Sequence, residues 1–396
     1  MESITVDDLD RQLAQCLATE GRASFSAIAA LLGVSDQTVA RRYRRLRSAG
    51  LLRVVGLKWD RSPNAGHWFL RLRCVPGSGE TIAATLAERR DTAWVQLLSG
   101  DTEVLCALRE DGAGGSESLL ARLPRSSRIV EVSAYSRLHI FTRGADALGF
   151  IDALPGERVE SLRFPGCGGP DGPGPPETME VTELDQGLFA ALARDGRTPY
   201  ADLATGTGWS ETRVRRRMDQ LRAAGMLYFK LELDRPTFGF HSAAWLWLSV
   251  PPSYLAETGA ALAKFPEIAH AYATTGPANL AACAICRDEE SLYQFLTAKV
   301  GGLPGVERLE TSPIIRTVKQ ASPVMLPGPA RWSRERSQSI AVCVAGGVVG
   351  ALFFVEARQR ARNRQFRRHS PRASGDSAGC REARDRERLR GDGAYV

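Results

Sequence analysis

The feature that most constrains this chain is that it repeats itself. Residues 9–52 laid over 184–227, without gaps and at an offset of 175, agree at 18 of 44 positions. An ungapped chance match would leave only a few identities, so the chain holds two copies of one unit. Between them runs GCGGPDGPGPP, from Gly166 to Pro176. Glycine and proline at that density build neither helix nor strand, and the segment reads as a linker.

Each copy opens with three helices. Leu9, Leu13, Cys16 and Leu17 form one apolar stripe at helical spacing, matched by Leu184, Leu188, Ala191 and Leu192. Thr182 and Asp185 give the second copy a capping-box start. The second helix carries Phe25, Ile28, Leu31 and Leu32. In copy two Thr198-Pro199 predicts a cap followed by proline at the first helical position. Gly33 and Gly208 allow a tight turn, and Ser35 and Ser210 cap the third helix. That helix buries Val39, Tyr43 and Leu46, or Val214, Met218 and Leu221. Gly50 and Gly225 end it, and an apolar run follows (51–59 and 226–233) that reads as a strand or wing. Helix, helix, short turn, serine-capped helix and wing make a winged helix-turn-helix.

Net charge locates the polar face. The chain carries +7, but residues 331–396 alone hold fifteen arginines against seven acids, a net of +8, which leaves −1 for the rest. Only local clusters therefore speak for nucleic acid. Residues 35–53 hold six arginines against Asp36. With the stripe buried, the third helix turns Gln37, Thr38, Arg41, Arg44 and Arg45 outward. Arginine can read guanine, and glutamine adenine, in the major groove, while further arginines neutralise phosphate. Arg42 and its repeat Arg217 border the stripe and fit a structural, snorkelling role. The second copy offers Thr212, Arg213, Arg215 and Arg216 but also Glu211 and Asp219. Two such faces would prefer different bases.

A second pattern follows each wing: strand, helix, two strands, helix, strand. In copy one these are 67–75, 80–90, 93–98, 103–108, 116–123 and 129–135. In copy two they are 242–250, 256–264, 269–274, 279–286, 289–300 and 306–311. A βαββαβ order predicts a ferredoxin-like antiparallel sheet with helices on one face, so the fold class is α+β. The other sheet face needs a cover, and the same face of another copy is the cheapest. The inner strands are joined by Ser99-Gly100-Asp101-Thr102-Glu103 and by Thr275-Gly276-Pro277-Ala278-Asn279.

This order resembles the leucine-responsive/asparagine-regulator (Lrp/AsnC) family of bacterial and archaeal transcription regulators, over about 10–145 and 184–320. The marks are Leu-Asp in helix 1, Gly-x-Ser before helix 3, Arg-Arg within it, Ala-Gly at its end, and Thr-Gly-x-x-Asn in the turn. The resemblance implies dimers joined through the sheets, higher assemblies, and an amino acid or similar effector at the sheet interface near that turn. Carried over, the effector positions are Thr275, Gly276 and Asn279, with Ser99, Gly100 and Glu103 in copy one. Glu103 stands where the family favours Asp or Asn, and its charge would repel a carboxylate ligand. Fusion of two copies implies that one chain forms its own pseudo-dimer.

The domains are therefore expected at 1–60 and 181–234 (helix-turn-helix), 65–145 and 240–320 (effector and pairing modules), 155–180 (linker) and 330–396 (tail). Within the tail, 339–355 is apolar but reaches only the shortest spanning length and contains three glycines. It reads either as a partly ordered helix before a basic tail or as a membrane anchor. Scattered cysteines fit a reducing cytoplasm. Cys283 and Cys286 have CxxC spacing, yet on a strand they point to opposite faces, as core filler does. Five histidines without metal spacing, and no nucleophile or phosphate-loop motif, leave no cofactor, metal or enzyme reading. The expected function is a cytoplasmic, nucleoid-associated regulator that binds double-stranded DNA as a homo-oligomer. The alternatives are an architectural DNA-binding protein without ligand and a tail-anchored regulator.

Overall fold

Side chains fix the helix ends in both copies. In α1 (Asp8–Thr19) Asp7 and Asp10 form a capping box. Ser24 caps α2 (Phe25–Leu32) and Ser35 caps α3 (Asp36–Ser48). In this computed structural model the described residues are 5–58, 65–111, 119, 123, 126–142, 148, 150–164 and 181–322, all of them in the unit Met1–Arg331. Copy one continues with β1 (Leu52–Lys58), β2 (Ala65–Cys74), α4 (Gly79–Glu88), β3 (Thr92–Leu98), β4 (Glu103–Asp111) and β5 (Ile129–Ile140). A short helix, α5 (Gly156–Glu160), follows. Copy two has α6 (Glu183–Arg194), α7 (Tyr200–Thr207), α8 (Glu211–Ala223), β6 (Leu227–Leu233), β7 (Ser242–Ser249), α9 (Pro252–Leu262), β8 (Ile268–Thr274), β9 (Leu280–Cys286), α10 (Glu289–Gln294) and β10 (Arg308–Thr317).

Most local expectations match this order, with corrections at Thr198 and at the start of the expected linker (155–180), where Gly156–Glu160 is helical and packs on the first copy. The Thr198 hydroxyl donates to the Asp195 carbonyl (2.7 Å), and α7 starts after Pro199 with no side-chain cap. The turn before the helix takes the hydroxyl first. Gly33 and Gly208 both sit in the left-handed region (φ 70°), which lets each second helix stop and the third begin within three residues. Residues 150–164 pack back on the first copy: Gln15 accepts from the Ala153 and Leu154 amides, and Arg158 donates to the Leu31 carbonyl. The apolar segment 339–355 and most of the expected helix 116–123 lie outside the described residues. Among the described residues no helix is long and apolar enough to cross a membrane.

The two copies interlock rather than sit side by side. The runs read as wings pair with each other: β1 and β6 form an antiparallel ribbon, from Leu52 opposite Leu233 to Lys58 opposite Leu227. At its centre Val55 lies opposite Lys230, and these two residues are themselves repeat equivalents (55 + 175 = 230). A pseudo-twofold axis therefore passes between them. The contacts around it obey the same symmetry. Arg22 donates to the Gly196 carbonyl (2.7 Å) and its equivalent Arg197 donates to the Gly21 carbonyl (2.7 Å). Arg22 lies 4.6 Å over the Tyr200 ring, and Arg197 lies 4.5 Å over Phe25. Arg47 pairs with Asp195 (2.7 Å) as Arg222 pairs with Glu20 (2.5 Å). Contacts exchanged residue for residue are the signature of an isologous dimer interface, here within one chain.

The sheets are joined by the same rule. β5 pairs with β2 along its first half and with β8 along its second, where Arg137 lies opposite Thr274. β10 pairs with β7 and then with β3, where Ile314 lies opposite Leu98. The result is a closed eight-stranded antiparallel barrel, β10-β3-β4-β2-β5-β8-β9-β7. Closure leaves no sheet edge and gives every strand an inner and an outer core. Phe69, Tyr135, Trp245, Trp247 and Cys283 point inward. Leu70, Leu72 and Val104 pack outward in one cluster that includes α4. Leu246, Ala282 and Cys286 pack outward in another, with residues of α9 and α10. Cys283 and Cys286 thus face different cores, both buried.

Gly196 shows how tight the interlock is. A Cβ there would lie 2.9 Å from the Val55 carbonyl carbon and 3.0 Å from the Gly56 nitrogen. Backbone cannot yield as a side-chain tip can. Gly196→Ala should therefore cost about 1–3 kcal/mol, the usual range for overpacking. Urea unfolding would read this; an unchanged midpoint would mean that the ribbon can slide away.

Candidate nucleic-acid interface and ligand pocket

The third helices present the arginine faces. Ser35 accepts from the Thr38 amide (3.1 Å) and Ser210 from the Arg213 amide (3.3 Å), so α3 and α8 start at equivalent points. Val39, Tyr43 and Leu46, and in α8 Val214, Met218 and Leu221, are buried. Gln37, Arg41, Arg44 and Arg45 are exposed and Thr38 is half-buried; Thr212, Arg213, Arg215 and Arg216 are exposed.

The arginines divide by what holds them. Arg42 binds Asp7 (2.7 Å) and the buried Asp10 (2.9 Å), and Arg217 binds the buried Asp185 (2.7 Å). Arg45 also reaches Asp10. Arg44 bonds back to the Ala40 carbonyl (3.2 Å). Arg213 stacks on Trp209 (4.7 Å) and Arg215 on Tyr200 (4.2 Å). Arg41 and its repeat Arg216 are exposed and enter no ion pair with any described residue. Sequence periodicity marked Arg42 as structural. It missed the same part-role for Arg45, although Asp10 and Asp185 recur two helices earlier.

The two expected effector turns come to one end of the barrel. A cavity of about 280 Å³ there is lined by Glu103 from one turn and by Pro277 and Ala278 from the other, with Arg71, Trp247 and Arg308 among the rest. Arg71 is the hub. It pairs with Glu103 and Glu310 and donates to the Ser312 hydroxyl (3.3 Å), which donates to Glu103 (3.2 Å). Burial works against the Arg71 charge, but the bonds to Glu310 and Glu103 outweigh it and hold the guanidinium proton more tightly than usual. Arg71 in turn holds the Glu310 carboxyl below its ordinary range, helped by Arg308. The charge expected to repel a carboxylate at Glu103 is thus neutralised within the protein.

The remaining turn residues serve the fold. Ser99 donates to Glu103 (3.2 Å). Ser99, Gly100 and Asp101 run consecutively at positive φ, a strained turn of the kind found at ligand sites. Thr275 accepts from the Ser136 amide (2.9 Å), and the Asn279 amide bonds both ways to the Val250 backbone (3.0 and 2.7 Å). Gly276 lies against Tyr135, where a Cβ would meet the ring at 2.9 Å. Tyr135 lines the cavity, and so do Arg73, paired with Glu131 (3.0 Å), and Ser249.

These features define a duplicated α+β protein with two helix-turn-helix heads on one barrel. Known proteins agree. A model described as the AsnC-type helix-turn-helix domain matches residues 6–47 and again 181–222, and the Lrp/AsnC ligand binding domain matches 243–324. The HTH-type transcriptional regulator Ptr1 of Methanocaldococcus jannaschii is 31% identical over 143 residues, 36% of this chain and 97% of that protein. The HTH-type transcriptional regulator FL11 of Pyrococcus horikoshii is 29% identical over 145 residues, 36% of this chain and 95% of that one. Among solved structures, the siroheme decarboxylase NirDL shares the fold, with a TM-score of 0.51 over 85% of this chain and 100% of its own, at 13% identity. The chain belongs to the Lrp/AsnC family of transcription regulators.

The Asp185–Arg217 pair fixes one titration. Burial alone would raise the Asp185 carboxyl, but hydrogen bonds from Arg217 and Thr182 outweigh it and hold it below its ordinary value of 3.8. A depressed carboxyl contributes stability that is present above the ordinary value and lost as pH falls through the folded one. Asp185→Asn should cost about 1–3 kcal/mol at neutral pH, the usual scale for hydrogen bonds to a charged group. The gap should shrink below pH 3.8. A gap in urea stability that stayed constant with pH would refute the assignment.

Proposed function

We propose that the chain is a sequence-specific DNA-binding regulator, not a catalyst, whose two heads read unequal half-sites. The observation that carries this is the contrast between neighbours on the third helix. Arg42 and Arg217 are tied down by buried carboxylates, while Arg41 and Arg216 stand exposed beside them. A fold needs the first pair; only a partner needs the second. Gln37 is replaced by Thr212 in the repeat, and Arg44 by Asp219, so the two heads present different chemistry to the groove. Likeness to a decarboxylase in fold does not carry its chemistry.

The helix pair sits on the ribbon, and half-sites one or more turns of duplex apart would suit such a pair. Arg41→Ala should weaken operator binding by about 1–3 kcal/mol, roughly 10- to 100-fold, the value of a good bidentate base contact. Binding to random duplex should fall far less. Fluorescence anisotropy on both duplexes decides it: equal loss on the two means that Arg41 meets phosphate alone.

The barrel-end cavity is the effector site in this reading, and its mixed charge suits a free amino acid. Arg308, exposed at the rim, is placed to take the carboxylate; Glu310 and Glu131 face the ammonium end. Further copies of the chain would assemble through surfaces outside the barrel, as higher oligomers of the family type. Amino acids screened by thermal shift should include at least one that stabilises the protein. For that one, Arg308→Ala should weaken binding by about tenfold or more and leave ligand-free DNA affinity unchanged. An amino acid that bound the variant as well as the parent would place the site elsewhere.

A further inference from the structure

A second cavity, of about 140 Å³, lies where the ribbon meets the barrel, and Lys230, His270, Trp94 and Tyr272 line it. It sits on the pseudo-twofold axis. Lys230 opposes its own repeat equivalent Val55 at the ribbon centre. Between the effector modules the offset is 176, from Gly100 and Gly276 in the two turns, so Trp94 and His270 are equivalents too. Their rings meet edge to face at 5.1 Å. In a homodimer such a point holds two identical residues. Duplication has let them diverge, and copy two has placed two basic groups where copy one has Val55 and Trp94.

No described residue forms an ion pair with either of those basic groups. The carboxylate that acts on Lys230 is Glu232, and Glu232 already accepts from Arg53 (2.8 Å) and from the Ser322 amide (2.9 Å). Lys230 instead lies 4.4 Å over the Trp94 ring. A cation–π contact recovers only part of what an ammonium loses on leaving water. Burial pulls the Lys230 amine down to about 8. Burial, then Lys230 and Arg235, push His270 below its ordinary range. Trp94 is held at φ 50° within a bulge of β3, and a large side chain is kept in that region only where the surroundings force it. The lining is aromatic: His270 touches Trp94 edge to face and stacks on Tyr272 (5.9 Å), and Tyr272 in turn packs on Phe69 (4.9 Å).

We infer that this cavity binds a small carboxylate with a flat apolar body, the carboxylate on Lys230 and the ring against the aromatic lining beside it. A cavity of similar volume in an apolar core admits benzene, so one ring fits. The site is distinct from the barrel-end cavity, does not rest on the reading of the arginine faces, and occurs once per chain because its two halves differ. Its position under the ribbon would let it stiffen the joint between the two heads.

Benzoate tests this directly, with benzamide as its neutral isostere. Calorimetry on the full chain should show benzoate binding with one site per chain and benzamide binding at least tenfold more weakly. Lys230→Met should lose benzoate at least tenfold, while Lys230→Arg keeps it. Without ligand, Lys230→Met should melt no lower than the parent, since it removes a cation with no ion-pair partner among the described residues. Several results would overturn the proposal: no benzoate binding, equal binding of benzamide, unchanged binding by Lys230→Met, or a sharp fall in that variant's melting temperature. The comparison of benzoate with benzamide needs no variant and stands even if Lys230→Met fails to fold.

Discussion

The reciprocal grip of Arg22 on the Gly196 carbonyl and of Arg197 on the Gly21 carbonyl is the constraint on which the rest depends. Each arginine is half-buried, lies over an aromatic ring of the other copy, and closes on a backbone oxygen of that copy. Burial lowers the pKa of both arginines, which marks what the arrangement costs. The glycines on either side are small because the ribbon runs against them. Once the heads are held this way, β1 and β6 are brought into register, and the barrel strands continue from their ends.

The barrel then follows from geometry. Two open four-stranded sheets, each with helices on one side, would expose one apolar face and two edges apiece. Long β5 and β10 solve both problems by serving first their own sheet and then the other. The inner faces become one core. Its far end is polar because Arg71, the equivalent of Trp247, brings a charge inside and needs Glu103 and Glu310 to hold it. The same divergence on the axis produced Lys230 and His270 at the near end.

Much of this was legible in the sequence because repetition carries its own control. Apolar stripes, capping serines and turn glycines recur at a fixed offset, so the three helices of each head stood out, as did the βαββαβ order. What recurred less clearly was harder to read. Strand pairing across copies leaves no local mark, so the runs at 51–59 and 226–233 read as separate wings, and closure of the barrel was invisible. The ends of β5 and β10 ran past their expected limits for the same reason: the extra residues pair with the other copy. The six turn positions do come together at one end of the barrel, but Thr275 and Asn279 brace strands there, and of the six only Glu103 lines the cavity. Lys230 passed unnoticed within an apolar run. The signal that could have found it was a comparison of equivalents: valine against lysine at 55 and 230, tryptophan against histidine at 94 and 270.

The ribbon has a consequence for the life of the protein in the cell. A regulator assembled from two separate subunits must wait for a second molecule, and at a few copies per cell that wait is long. Here both halves of the interface arrive on one polypeptide. Pairing is a step in folding, fixed by the length of the connecting chain, and dilution cannot reverse it. A gene of this kind can be expressed at a trace level and still deliver a fully formed pair of heads from each transcript that is read.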